Sequence, residues 1–474
     1  MSQLDPVQIE AIKFSWGKRG VGFNLEQGLG KTLVALTEFS FLHQKGRVDR
    51  MIVVCPNTFK RGWLDEIEKH GFQFDVHIWR SDKKIVAAAW LNIHHHFGPP
   101  VLIINYDAAR MPGVLRALRI WAARGPTYLA IDESIQIKGH KSLQTKSVHH
   151  LAPGCAYVRI LSGRMQTQGP QDLWGQLRAI GLFTDRNFYA FRGRYCVMGG
   201  WLDKEVLAAK NTEELAEAMA PAVFQAKKKD WLPLLPRKDA TIRDYQMSAE
   251  QQRQYNQMEH QFLLEIEQGV ITVEVAIAKY AKLAQIQCGF IYDEQGNAHE
   301  LVEQAENPRL NLLLQLLEEE VEGKAVVVYR HRAVLPVLLR VLEKYNPTWI
   351  SGGMHPSAVK ENKDMFNGEG EFAGHAGTRI LLAQCDAAKY GHTLLGGPGP
   401  DDKCRTMIFF ENSYSADTRD QICDRIHRRG QTGDSVLYID LCGSDLDRRI
   451  VRALQRKDNL YRSVFKNLKV AEPA

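Results

Sequence analysis

Two short stretches of this chain hold the residue types that phosphoryl transfer requires. The first is Glu26-Gln27-Gly28-Leu29-Gly30-Lys31-Thr32, which follows an apolar run at Val21–Leu25 and precedes the helical pattern LVALTEFSFLHQ. A strand, a glycine turn and a helix start form the setting of a phosphate loop. The glycines let backbone N–H groups approach phosphate oxygens, Lys31 would reach the β/γ oxygens, and Thr32 would hold Mg2+. Leu25 stands where the strict pattern has its first glycine, so a glycine-rich turn without phosphate chemistry is the competing reading. The second stretch is YLAIDES, an apolar strand ending in Asp132-Glu133. Carboxylates at the carboxyl end of a neighbouring parallel strand face the same crevice as the loop. Asp132 would coordinate Mg2+, and Glu133 would orient and deprotonate an attacking water. An acidic pair after a strand more often caps a helix; beside a phosphate loop it indicates nucleotide hydrolysis.

Hydrolysis also needs positive charge at the γ-phosphate as the bond breaks. DQICDRIHRRGQ (420–431) offers it, with Gln421, Arg425 and Arg428 at i, i+4 and i+7. That spacing predicts one face of a helix carrying two guanidiniums. A solvated basic face is the alternative for the segment taken alone.

The elements that would position these residues are short apolar runs alternating with helical patterns, the rhythm of parallel α/β sheets. Strands are expected at Val21–Leu25, Met51–Cys55, Val101–Tyr106, Tyr128–Ile131 and Val158–Leu161, then at Ala325–Tyr329, Arg379–Ala383, Thr406–Phe410 and Val436–Leu441. Between the two sets the chain reads as helical and polar, broken by KKKDWLPLLPRK, while LLGGPGPDDK (394–403) has the composition of a surface loop. The fold class is α/β, with parallel sheets flanked by helices in two lobes. Expected boundaries are 1–247 for the first lobe, with a helical protrusion at about 165–236, then 248–300 for a helical linker and 301–474 for the second lobe.

Composition narrows the class. With 474 residues, 45% hydrophobic and 24% charged, the chain is neither disordered nor fibrous. A net charge of +6 suits a polyanionic partner without requiring one. No apolar run reaches the ~18 residues of a membrane span, and MSQLDPVQIE has no signal-peptide pattern. Eight cysteines without a C-x-x-C pair argue against zinc modules and disulfides and for a reducing cytosol, so a cytoplasmic location is expected.

Taken in order, these segments resemble the superfamily 2 helicase-like ATPases, and among them the sucrose-non-fermenting (Snf) DNA translocases. The resemblance runs from about residue 4 to about 455. LDPVQIEAI is similar to that family's adenine-recognising segment, with Gln8 as the contacting glutamine. EQGLGKT resembles D-E-M-G-L-G-K-T, which implies ATP contacts from Glu26, Gln27, Gly28, Leu29, Gly30, Lys31 and Thr32. VVCPNTFKRGWLDEIEK, IDESIQIKGHKS, LSGRMQTQGPQDLWGQL, FYAFRGRYC, SAEQQRQYNQM and QICDRIHRRGQ resemble further family segments, with Tyr414 where a Trp is usual. The resemblance implies two RecA-like lobes, ATP and Mg2+ as cofactors, Gln421, Arg425 and Arg428 at the nucleotide, and a monomeric motor on double-stranded DNA. It also implies DNA contacts from Thr58, Lys60, Arg61, Trp63, Lys138 and Gln384; an ordinary charged surface is the alternative at each.

The chain departs from the family pattern in three further places. Ile135 replaces a polar residue that links nucleotide state to the next motif, that motif reads Ser162-Gly163-Arg164-Met165, and AQCDAAKYGHTL keeps only Gly391 of its glycine pattern. Hydrolysis should survive these changes, whereas its coupling to movement is open. Lys227-Lys228-Lys229 would track a duplex or stand in solvent, and the cation-rich segment LDRRIVRALQRKDNLYRSVFKNLK would dock on the second lobe as a helix. His94-His95-His96 reads as surface, not as a metal site. The segments that resemble the family run through almost the whole sequence, which looks like its compact bacterial and phage members. Three rivals remain: a strand-separating or branch-migration helicase, a nucleotide-gated DNA-binding scaffold, and a small-molecule kinase, which would leave the arginine segment unexplained.

Overall fold

A computed structural model describes residues 4–80, 98–199, 205–232, 234–267, 273–293, 295–373, 378–388, 393–400, 402–413 and 415–465. His94, His95, His96, Gly391 and Tyr414 lie outside the described residues. The chain divides into two compact units, 1–233 with 456–474, and 234–455.

The first unit is built on a seven-stranded sheet. Its strands are β1 (Gly20–Leu25), β2 (Arg50–Cys55), β3 (Asp75–Ile78), β4 (Pro100–Asn105), β5 (Thr127–Asp132), β6 (Tyr157–Ser162) and, after a hairpin of β7 (Cys196–Gly199) and β8 (Glu205–Ala209), β9 (Val223–Ala226). The order is β3-β4-β2-β5-β6-β1-β9, and every pair is parallel. Strands covered on both faces can be apolar at every position, which is why MIVVC and VLII read as continuous runs. The period of two still sorts them. Met51, Val53, Cys55, Val101, Ile103, Tyr128 and Ala130 enter one core, with α1 (Pro6–Ser15), α2 (Lys31–Gln44) and α3 (Lys60–Lys69) above them. Ile52, Val54, Leu102, Ile104, Leu129 and Ile131 enter the other, against helices that include Pro112–Ala122 and Leu143–Leu151.

An ion pair with no exposure fixes α2 to this sheet. Arg159 on β6 donates to Glu38 of α2 through Nη2 (2.6 Å) and Nε (2.9 Å), and the Tyr128 hydroxyl donates to the same carboxylate at 2.8 Å. Arg159 also donates to the backbone oxygens of Arg19 and Lys18. A buried pair of this kind holds because its lone pairs and protons are taken up. It anchors the helix whose first turn follows the glycine loop.

The second unit holds a six-stranded sheet: β10 (Arg237–Asp244), β13 (Ala325–Tyr329), β14 (Thr348–Ile350), β15 (Ile380–Gln384), β16 (Thr406–Phe409) and β17 (Ser435–Cys442), in the order β10-β17-β16-β13-β15-β14 and again parallel throughout. A small antiparallel pair, β11 (Phe290–Tyr292) and β12 (Ala298–Glu300), lies apart from it. The architecture is thus two parallel α/β units, as expected.

The boundaries differ from those expected. Residues 234–247 belong to the second unit because β10 pairs with β17 over its whole length, from Arg237↔Ser435 to Asp244↔Cys442. Residues 248–300 are part of that unit too, since Met247, Tyr255, Leu283 and Ile286 share a core with Leu446 and Ile450. These two positions lie in the first turns of the helix Asp445–Phe465. The segment 165–236 is not wholly helical, because β9 completes the first sheet beside β1. Among the described residues no helix is long and apolar enough to cross a membrane.

Candidate nucleotide site

Strands β5, β6 and β1 are neighbours, with Asp132 beside Leu161 and Ser162 beside Asn24. Their carboxyl ends therefore place Asp132-Glu133, Ser162-Gly163 and the glycine loop at one edge of the sheet. This is where parallel α/β sheets open a ligand crevice.

The loop turns on two glycines in the left-handed region, Gly28 (φ 87°) and Gly30 (φ 80°). Gly30 precedes the first turn of α2, and a Cβ there would collide with the Gln8 amide nitrogen. Gln8 is buried against the loop, with Oε1 accepting from Asp5 N (3.0 Å) and Nε2 donating to Leu29 O (3.4 Å). The Lys31 ammonium is buried at the helix start and donates to Leu25 O at 3.1 Å, across the base of the loop. Thr32 follows it, half-buried. Glu26 accepts from the Lys228 backbone N–H at 2.7 Å, which ties the loop to the chain leaving β9.

The carboxylates are fixed by the same frame. Asp132 accepts from Trp63 Nε1 through Oδ2 (2.8 Å) and from Glu133 N through Oδ1 (2.9 Å), while the Tyr106 hydroxyl donates to its backbone oxygen (2.7 Å). Glu133 is buried and adopts the left-handed conformation (φ 48°), which is costly for a residue with a Cβ. Its Oε1 accepts from Gln27 Nε2 at 3.2 Å, so the acidic pair and the loop are joined directly. Burial, and then the Glu133 charge, push the Asp132 carboxyl up to about 6, against the Trp63 hydrogen bond and the Lys31 charge. A dry, oriented carboxylate repelled by its neighbour suits a divalent cation with oxygen ligands, and the Thr32 hydroxyl is a second oxygen of the same kind. These residues fit Mg2+. Among the described residues no group of three or more His, Cys, Asp and Glu converges on a metal position.

The arginine segment folds differently from its spacing. The helix runs only from Ala416 to Cys423, so Gln421 is helical while Arg425 and Arg428 lie in the turns beyond. Carbonyls that a longer helix would use are taken elsewhere. Cys423 O accepts from the Tyr438 hydroxyl (3.0 Å), Arg425 O from Leu394 N (3.0 Å) and Ile426 O from Gln431 Nε2 (2.6 Å). Gln421 is buried and donates to the Asp417 carboxylate. Arg425 is buried, and Arg428, half-buried, donates to Thr393 Oγ1 at 2.7 Å. Burial draws the Arg428 guanidinium below its ordinary value, and Asp424 opposes that shift.

Of the expected DNA contacts, Thr58 is exposed in the turn Asn57–Phe59 before α3 and Arg61 in the first turn of α3, where it pairs with Asp65 at 2.8 Å. Lys60 donates to Trp79 O (2.9 Å) and Lys138 to Thr167 Oγ1 (2.8 Å), both half-buried. Gln384 accepts from Gly352 N (2.6 Å) and donates to Arg330 O (3.1 Å). Trp63 is a correction: at 1% exposure its ring lies in the core with Ile67 one helical turn on, and its indole serves Asp132 instead of a DNA strand. Lys228, in the run read as duplex-tracking or solvated, is buried, whereas Lys229 beside it is exposed.

The family model described as the SNF2-related domain matches residues 17–288. A Caenorhabditis elegans homologue of the SWI/SNF-related matrix-associated actin-dependent regulator of chromatin subfamily A-like protein 1 is 29% identical over 292 residues, covering 55% of this chain and 40% of that protein. An uncharacterised ATP-dependent helicase of Mycoplasma genitalium is 22% identical over 454 residues, covering 93% of this chain and 40% of that protein. The chain thus spans about two fifths of the length of these two relatives. The SWI2/SNF2 ATPase core of Sulfolobus solfataricus, solved with dsDNA, aligns over 98% of this chain and 93% of that one, at 18% identity and a TM-score of 0.42.

Proposed function

Because the chain belongs to the SNF2-related family, we propose that it is an ATP- and Mg2+-dependent hydrolase that moves along double-stranded DNA. The observation that carries the hydrolytic part is the direct Gln27–Glu133 link between the glycine loop and the acidic pair at one sheet edge. Loop N–H groups and the positive end of α2 bind the phosphates, Lys31 turns from the loop carbonyl to the β/γ oxygens, and Gln8 reads the adenine. Thr32 and Asp132 would hold Mg2+, which would supply charge neutralisation to the phosphates. Glu133 accepts a proton from a water whose oxygen bonds to the γ-phosphorus. The bridging P–O bond breaks, and ADP and inorganic phosphate leave. We assign the charge on the transferring group to Arg425 and Arg428, on the match of QICDRIHRRGQ to the family segment.

Duplex DNA as the track is supported by the order of the family segments and by the regulator of chromatin among the relatives. The grip is sequence-independent, through phosphate contacts from exposed groups such as Thr58 and Arg61. The motor acts as a monomer. ATP turnover measured on single-stranded, duplex, forked and junction DNA, and on RNA, tests this reading: duplex should raise the rate several-fold. A displacement assay on forked and four-way substrates separates it from the strand-separating alternative, which the helicase among the relatives keeps in view.

A further inference from the structure

At the carboxyl edge of the first sheet, one hydrogen bond spans a strand. Strand β6 lies between β5 and β1. Glu133 follows β5, Gly163 follows β6, and Gln27 follows β1 in the glycine loop. The bond from Gln27 Nε2 to Glu133 Oε1 (3.2 Å) therefore has to pass the end of β6. It passes at Gly163. A Cβ built there would lie 3.1 Å from Gln27 Nε2, 3.2 Å from its Cγ and 3.3 Å from its Cδ, closer than ordinary van der Waals contact. Gly163 is not among the glycines in the left-handed region, so its backbone makes no demand for glycine. The space taken by the Gln27 side chain does.

The backbone and the carboxylate of Glu133 are held by different partners. Its N–H donates to Asp132 Oδ1 (2.9 Å) and its carbonyl accepts from Gln136 N (3.0 Å), which supports the left-handed conformation at φ 48°. Such a backbone persists where its surroundings over-determine it. The carboxylate stands at the end of rotatable side-chain bonds, and the hydrogen bond that reaches it comes from Gln27. A neutral amide suits that task. It fixes one carboxylate oxygen without adding a charge, and the second oxygen keeps its lone pairs for a water.

On the reading of this edge as an ATP-hydrolysing site, we infer that Gln27 is a positioning residue for Glu133, its amide lying across Gly163 and aiming the carboxylate at the attacking water. Gly163 is the gap that lets the amide reach. Orientation of a reacting group acts on the rate of the chemical step, so Gln27 contributes to turnover more than to nucleotide affinity.

Phosphate release by the purified protein with duplex DNA, mant-ATP titration and a thermal melt of each variant test the assignment. Gln27→Met keeps the length and removes the donor. It should lower kcat about 10–100-fold, the range of a hydrogen bond to a charged group, with mant-ATP affinity within about twofold of wild type. Gly163→Ala should lower kcat several-fold. Added to Gln27→Met it should cost nothing further, because the side chain it displaces no longer carries a donor. Wild-type kcat in Gln27→Met overturns the inference, as does lower mant-ATP affinity with kcat kept, which would make Gln27 a nucleotide contact only. Losses that multiply in the double variant overturn it too. If Gln27→Met loses its cooperative melt, Gly163→Ala decides, and wild-type kcat there is refutation. If both lose it, Gln27 is a structural link and the inference falls. If the wild-type protein releases no phosphate, the nucleotide-site reading itself fails and takes the inference with it.

Discussion

Asp132→Asn should make the protein more stable while abolishing ATP turnover. Asp132 is an ordinary carboxyl raised from 3.8 to about 6 by burial and by Glu133. A group with a raised folded value adds stability below its unfolded value and loses it as pH rises through the folded one. The wild-type fold is therefore penalised progressively between about pH 4 and pH 6, and fully above that. Two pKa units correspond to roughly 3 kcal/mol. Asparagine removes the buried charge but gives up one of the two carboxylate acceptor bonds, to Trp63 Nε1 or Glu133 N, at about 1–2 kcal/mol. The net gain is about 1–2 kcal/mol at pH 8, which moves the melting midpoint of the first unit up by about 2–6 °C. Melts of both proteins at pH 4.5 and pH 8, with and without Mg2+, provide the assay. The advantage should be present at pH 8 and absent at pH 4.5, and Mg2+ should raise the midpoint of the wild type only. A variant that is less stable at both pH values by the same amount would refute the reasoning.

Four further outcomes follow from the same geometry. Glu133→Gln should retain nucleotide binding and lose ATP turnover by at least 10²-fold, read by pairing mant-ATP titration with phosphate release. Arg428→Ala should lower turnover by ~10³–10⁵-fold with DNA affinity nearly intact, in parallel rate and gel-shift measurements. Trp63→Phe removes the donor that holds Asp132 down, so the acid limb of Mg2+-dependent turnover should move to higher pH without weakening DNA binding. Glu38→Ala leaves Arg159 buried and unpaired, and denaturant melts should show a loss of about 3–5 kcal/mol in the first unit.

The central strands were legible because runs such as VVVY and ILLA are covered on both faces and leave no other reading. Edge strands were not. β10 reads RKDATIRD, with exposed residues alternating with half-buried ones, and β3 is a half-buried DVHI. Each looks like polar loop until its partner is known, and missing β10 moved the unit boundary. Gly28, Gly30, Lys31, Asp132 and Glu133 could be read locally, since the loop and the strand end carry their own signals. The end of the helix at Cys423 could not, because it depends on Tyr438 and Leu394, which reach it from other segments. Trp63 has the same character: helical spacing with Ile67 was a signal for burial, but its bond to Asp132 spans 69 residues. Lys228 was hidden in a run of three lysines, and the short apolar stretch AVFQA before it was the only sequence cue that the chain returns to the sheet there.

On the proposed reading, the loop and acidic pair hydrolyse ATP in response to duplex DNA. The most direct measurement is steady-state phosphate release by purified wild-type protein and Glu133→Gln, each with and without double-stranded DNA at low salt. The wild type should show a several-fold rise with duplex, a rise that fades as salt is added, and the variant should turn over at least 10²-fold more slowly. Turnover indifferent to DNA, or equal in the two proteins, would contradict it.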